Sequence, residues 1–225
     1  MKKRIVIMVF GLLMVLLTAC GSNKPKINEK PYEDKQFLMG TYVQMRIYDD
    51  GKEAALKPAF KRVKELADKI TVNQEGSEID AVNKEAGVKP VKVTDDMFFL
   101  LKEAYKYSQD SKGGFDMAIG PITSMWRIGF PDARKPAQNE IDQALKLVNY
   151  HEVEFNDENK TVFLKEKGMK LDLGAIAKGY ITDEVVKVLK ENDVTTAIID
   201  LGGNVYVMGL SLIHISEPTR LDVIS

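Results

Sequence analysis

The sequence predicts an α+β fold, a single domain in which a mixed or antiparallel sheet is flanked by helices. Three observations carry this. Thr41 to Tyr48 (TYVQMRIY) alternates with a β-branched start, as a strand does. Residues 56 to 70 place Ala59, Phe60, Val63, Leu66, Ala67 and Ile70 on one helical face, with Lys61, Arg62, Lys64 and Glu65 largely opposite. Strands and helices then follow one another without a regular β-α-β rhythm, which argues against a doubly wound parallel sheet. No internal repeat and no linker interrupts the chain after residue 35, so one domain is expected over residues 36–209 of the 225.

The N-terminus differs from the rest. Lys2, Lys3 and Arg4 precede an apolar run from Ile5 to Leu17, which is short for a membrane span and suits a signal peptide. It ends in Leu17-Thr18-Ala19-Cys20, which resembles a bacterial lipobox whose cysteine is acylated. Cys20 is the chain's single cysteine, so a disulfide and a cysteine-based metal site are both excluded. The expectation is a signal peptide over residues 1–19 and a lipid-anchored tether over 20–35, rich in Asn, Lys, Pro and Glu. The folded body would then sit on the extracytoplasmic side of a bacterial cell membrane. A net charge of -1 gives no sign of a nucleic-acid partner and favours a small molecule or a protein.

Further elements follow in order. Thr94 reads as an N-cap before Asp95 and Asp96, opening a helix with Met97, Leu100, Leu101, Ala104 and Tyr105 inward. A helix over 138–148 would bury Ile141, Ala144, Leu145 and Val148. His151 to Phe155 and Thr161 to Leu164 read as a hairpin around residues 156–159, and residues 180–190 as a helix. Thr196 to Leu201 is a buried strand running into Gly202-Gly203, and Asn204 to Gly209 is strand-like.

Three glycine-bearing segments exceed what their elements need. In Met39-Gly40-Thr41 the glycine eases entry into a strand. In residues 111–126 (SKGGFDMAIGPITSMW), Gly113-Gly114 ends a helix and Gly120-Pro121 turns the chain toward Trp126. Asp116, flanked by Phe115 and Met117, is there either paired or functional. In residues 170–183 (KLDLGAIAKGYITD), Asp172 lies on or beside a buried strand, where its carboxylate needs a donor. Gly174 and Ala175 allow close backbone approach. The P-loop pattern is absent, and the stretch reads either as a nucleotide-contacting loop or as a packing corner.

Residues 210–220 (LSLIHISEPTR) match, residue for residue, the translation of a transposase-type sequencing adapter. The expectation is that native text stops near Gly209, that 210–225 is a non-native tail in which His214 carries no chemistry, and that the domain is incomplete at its C-terminus.

Met-Gly-Thr at 39–41, Gly-Gly-Phe-Asp at 113–116 with Gly-Pro at 120–121, Trp126, DLGAIAKGYITD at 172–183 and DLGGN at 200–204 occur in this order behind the lipobox. Together they closely resemble the ApbE family of flavin transferases, over residues 36–209. The resemblance implies a T-fold-related domain that binds FAD in a cleft and needs Mg²⁺. It implies transfer of FMN from FAD, through a phosphoester bond, to a threonine hydroxyl of an acceptor protein. Acceptors in the family are extracytoplasmic subunits of redox pumps or flavin-binding lipoproteins. Carried over residue by residue, Met39, Gly114, Phe115 and Asp116 match flavin-contacting positions, and Asp172 and Lys178 match FAD-contacting ones. Ala175 matches a position offering its carbonyl to the metal, an acceptable hard oxygen. No catalytic residue is assigned.

Two departures matter. Asn73 stands where many members carry a tyrosine that stacks on the flavin, which keeps open an FAD pyrophosphatase releasing FMN and AMP. A flavin-binding lipoprotein without catalysis is the other alternative. The family's remaining metal ligands, an Asp and a Thr or Ser, have no match before Gly209, so the chain is expected to be inactive in transfer.

Overall fold

A computed structural model describes residues 27–72 and 75–209. The expected signal peptide, Cys20, Asn73 and residues 210–225 with His214 lie outside the described residues. Among those described, four strands form one antiparallel sheet in the order β1 (Ile27–Leu38), β2 (Thr41–Asp49), β6 (Ala197–Leu201), β7 (Asn204–Met208). A smaller antiparallel sheet has the order β3 (Val91–Lys92), β5 (Thr161–Leu164), β4 (Val153–Asn156). The helices are α1 (Leu56–Ile70), α2 (Glu78–Lys84), α3 (Asp95–Asp110), α4 (Gly120–Trp126), α5 (Gln138–Ala144) and α6 (Gly174–Glu191). The architecture is α+β, as the sequence predicts.

The alternation in β2 sends Val43, Met45 and Ile47 to one face, all 0% exposed. Ala197, Ile199 and Leu201 of β6 lie beside them, through the register Val43↔Leu201 and Met45↔Ile199. The apolar stripe of α1 and the inner face of α6 (Ile181, Val185, Leu189) complete this core. Each Val, Leu, Ile, Phe or Met buried here contributes about 1.5–3 kcal/mol by leaving water.

The structure departs from the sequence reading at several places. Residues 27–35 are not tether but part of β1, an edge strand paired with β2. Its register breaks between Ile27 and Tyr32, where Pro31 can withhold its missing donor, and its many charges suit an unpaired edge. Met39 and Gly40 form a two-residue hairpin loop with φ of 54° and 71°, the left-handed pair that matches strand twist. Thr94 begins α3, but its hydroxyl donates to Glu78 Oε1 and its N–H to Glu78 Oε2, so it joins two helices rather than capping with its side chain. The end of α3 is a Schellman turn in which Lys112, not a glycine, takes the first left-handed position. Its N–H reaches Gln109 O and that of Gly113 reaches Ser108 O. Gly120-Pro121 opens α4 instead of forming a turn, with proline in the first turn where its lost N–H costs nothing. The predicted helix over 138–148 stops at Ala144, continues as a 3₁₀ turn over Leu145–Leu147, and buries none of its apolar residues fully.

Helices α1, α3 and α6 are joined by charge. Arg62 donates to both oxygens of Asp96, at 2.9 and 2.8 Å, and also to Glu184 Oε2. The Arg62 guanidinium, above all, holds the Asp96 carboxyl below its ordinary value, against partial burial. At Glu184 burial is the largest single influence and acts upward, but hydrogen bonds from Lys187 and Arg62 outweigh it and leave the carboxyl lowered. Tyr180, whose hydroxyl donates to Asp96 O, is held above the usual phenol range by burial and then by the two carboxylates.

Arg62→Ala would leave Asp96 to Lys69 and Glu184 to Lys187 and remove the cation that joins the two carboxylates, at a cost of about 1.5–3 kcal/mol at neutral pH in urea denaturation. Because both carboxyls are depressed in the folded state, their contribution is complete above the unfolded value near ~4 and is lost as pH falls through the lower folded values. The gap between wild type and variant should therefore narrow in acid.

Candidate functional site

Two segments separated by half a hundred residues build the site. Ile119 and Lys170 form a parallel bridge, Gly120 N–H donates to Lys170 O at 3.0 Å, and Asp172 N–H donates to Met117 O at 3.0 Å. The approach is close enough that a Cβ on Gly120 would lie 2.6 Å from the Lys170 carbonyl oxygen. Only glycine fits there.

Three polar side chains fix this splice. Ser108, fully buried in α3, donates to Ala104 O and accepts from Met117 N–H at 3.1 Å. Asn83, at the end of α2, donates to Leu171 O at 3.1 Å and accepts Leu171 N–H at 2.7 Å, pairing with that peptide as a neighbouring strand would. Asp116 accepts Ala118 N–H at 2.8 Å and Tyr150 N–H at 3.1 Å. The choice posed for Asp116 thus has an observed answer in pairing: it ties the loop to the turn before β4. The Asn83–Leu171 pair and the Asp116–Tyr150 bond are not signalled by local pattern, because they join residues 88 and 34 apart in sequence.

The resulting cleft has a volume of about 590 Å³. Gly114, Phe115, Asp116, Asp172 and Ala175, all singled out from the sequence, line it together with Gly174. Ile119, Thr123, Leu145 and Val148 also line it and were not anticipated. Leu145 and Val148 belong to the apolar stripe read as core; the helix break at Ala144 instead turns them to the cleft wall.

Asp172 sits just before α6. Its Oδ1 accepts Gly174 N–H at 2.9 Å and its Oδ2 accepts the Thr123 hydroxyl at 2.6 Å. Gly174 and Ala175, read as loop, are the first residues of α6, six residues earlier than the predicted helix start. The positive end of an 18-residue helix therefore opens into the cleft. It is not a phosphate-cradling nest, since the N–H groups of Gly174, Ile176 and Ala177 are engaged by Asp172 and Leu173.

Lys178 and Met39 stand apart from that lining. Lys178 Nζ donates to Gly202 O at 3.4 Å, at the tip of the β6–β7 hairpin. Gly202 N–H in turn donates to Tyr42 O, and a Cβ there would lie 2.4 Å from the Thr41 hydroxyl, so the two hairpin tips touch. Met39, half-buried against the core, is on the other tip. Ala175 and Lys178 are three residues apart on one helix face, so the first turns of α6 connect the cleft to this second group.

Among the described residues no group of three or more His, Cys, Asp and Glu side chains could hold a metal ion. The Asp172 carboxylate and Ala175 carbonyl are suitable hard oxygens, but they do not complete a site.

Gly120→Ala should destabilise the protein by about 1–3 kcal/mol, because the added methyl must push the two backbone segments apart. Chemical denaturation compared with Gly179→Ala, which meets nothing within 4 Å, checks this.

The ApbE family model matches residues 39–224. A Klebsiella pneumoniae protein named FAD:protein FMN transferase is 37% identical over 191 residues, 85% of this chain and 60% of the relative. A Treponema pallidum protein of the same name is 31% identical over 219 residues, 93% of this chain and 60% of the relative. The crystal structure of the ApbE protein from Thermotoga maritima superposes with a TM-score of 0.75 at 27% identity, covering 81% of this chain and 60% of that one. The Vibrio cholerae flavin transferase ApbE, at 20% identity and a TM-score of 0.72, shares the fold. The chain thus spans about 60% of the length of these relatives. With its cleft built from the same segments that carry the sequence resemblance, the chain belongs to the ApbE family.

Proposed function

We propose that the cleft binds FAD and that the protein to which this chain belongs transfers FMN from it to a threonine hydroxyl of an acceptor protein. The observation that carries this reading is the convergence of Gly114, Phe115 and Asp116 with Asp172 and Ala175 around one cavity. Phe115, Ile119, Leu145 and Val148 offer an apolar wall to a planar ring, and Asp172 accepts from a ring N–H or a ribose hydroxyl. Lys178, on the same face of α6 as Ala175, carries the positive charge that a diphosphate needs. In the transfer, the threonine hydroxyl gives up its proton to solvent, its oxygen bonds to the FMN phosphorus, the diphosphate bond breaks, and AMP leaves with the bonding pair.

Magnesium is part of this proposal. When bound it neutralises charge on the diphosphate oxygens. Ala175 would present one carbonyl oxygen, while the described residues leave the donor set incomplete, so no step is assigned through the metal. The acceptor is proposed to be an extracytoplasmic redox-pump subunit or a flavin-binding lipoprotein. Acylation of Cys20 would hold the enzyme on that side of the membrane.

Flavin fluorescence during FAD titration should show binding by the 225-residue chain, weakened about tenfold by Asp172→Asn, which replaces a charged acceptor. FAD emission that is the same with and without the wild-type protein across the titration would overturn the reading. The chain alone, given FAD, Mg²⁺ and a threonine-bearing acceptor, should leave no covalent flavin on the acceptor in a denaturing gel. In bacteria, a palmitate analogue should label the wild type and not Cys20→Ser.

A further inference from the structure

Thr123 lies in α4, on the cleft wall, with its side chain open to solvent. Its hydroxyl donates to Asp172 Oδ2 at 2.6 Å, while its distance to Gly120 O, 3.5 Å, is at the limit of a hydrogen bond. The carboxylate's other oxygen is held from the opposite side by Gly174 N–H. Asp172 is therefore gripped at both oxygens by groups from two different elements, α4 and α6. The backbone on either side is fixed too, by Met117 O on Asp172 N–H and by Asn83 on both polar groups of Leu171.

This grip has a chemical consequence. Each carboxylate oxygen has two acceptor sites, and one on each is occupied. Those that remain are fixed in direction and can only accept. The χ2 torsion of an aspartate is broad, so a carboxylate held at one oxygen alone would rotate, and a ligand would have to arrest it on binding. A threonine in a helix divides between two χ1 rotamers, and here the hydroxyl bonds the Asp172 carboxylate far more closely than the Gly120 carbonyl one turn back.

We propose that Thr123 is a positioning residue: it locks the Asp172 carboxylate so that the cleft selects a ligand presenting an N–H or O–H donor at that point. The ligand is FAD by the function proposed above, and the inference rests on that reading only for the ligand's identity.

Thr123→Val keeps the shape and removes the donor, and Thr123→Ser restores it. In the ligand-free chain, hydrogen exchange followed by NMR should show the Gly174 amide losing about fivefold protection in Thr123→Val, because its acceptor is freed to turn, and regaining it in Thr123→Ser. In FAD titrations Thr123→Val should bind about five- to tenfold more weakly and Thr123→Ser near wild type. In an Asp172→Asn background Thr123→Val should cost nothing further, since Thr123 acts through that carboxylate. Unchanged Gly174 exchange, or losses that simply add in the double variant, would overturn the proposal. If wild type binds no flavin, the FAD reading fails, and the exchange measurement still decides the role of Thr123.

Discussion

The cleft exists because the chain from Met117 to Gly120 runs alongside Lys170 to Asp172 at backbone contact distance. Two main-chain hydrogen bonds make the splice, and the missing Cβ of Gly120 makes it possible. Loop backbone at a cavity wall has few ladder partners, so its polar groups must be satisfied in other ways. Here Ser108, Asn83 and Asp116 do so, each a side chain bonding to main chain, across 9, 88 and 34 residues respectively. The cavity wall is therefore ordered by specific polar pairs as much as by apolar burial, and such pairs tolerate little displacement.

Helix α6 transmits that order to the core. Its first turns carry Ala175 in the cleft and Lys178 at the hairpin tips. Its middle carries Tyr180 and Glu184, which engage Asp96 and Arg62, and its inner face buries Ile181, Val185 and Leu189 against the large sheet. A single rigid element thus sets the cleft relative to both hairpin tips. Lys69 and Lys187 each serve one carboxylate of this network, on Asp96 and Glu184 respectively. Arg62, which serves two carboxylates, is the member whose loss is felt most widely.

Several residues have two structural duties at once. Asp172 starts α6 by accepting from Gly174 and also presents its free acceptor sites to the cavity. Leu145 and Val148 continue an apolar helical stripe and then become cleft wall when α5 gives way to a 3₁₀ turn. Thr123 makes a surface-exposed helix part of the site by a single hydroxyl. Such overlap explains why a local reading of these segments left both packing and ligand contact open. They are packing corners, and the corners enclose the cavity.

The sequence by itself determined the α+β class, β2 and α1, the β4–β5 hairpin and the main core, because each rests on a local period that exposes one face to solvent. It also determined the family, through glycine-bearing motifs in a set order, and with it five of the residues that line the cleft. What it did not determine were the elements whose conformation depends on distant partners. Charged residues 27–35 become a strand only because β2 offers an edge. Gly174 and Ala175 become helix because Asp172 and Leu173 take the first amides. Thr123 and Asn83 belong to the site only once folding brings them to Asp172 and Leu171, across 49 and 88 residues. Periodicity is a property of neighbours in the chain, whereas a hydrogen bond between separated segments exists only after loop closure has met its entropic cost. That is why the tertiary structure alone decided how the site is held.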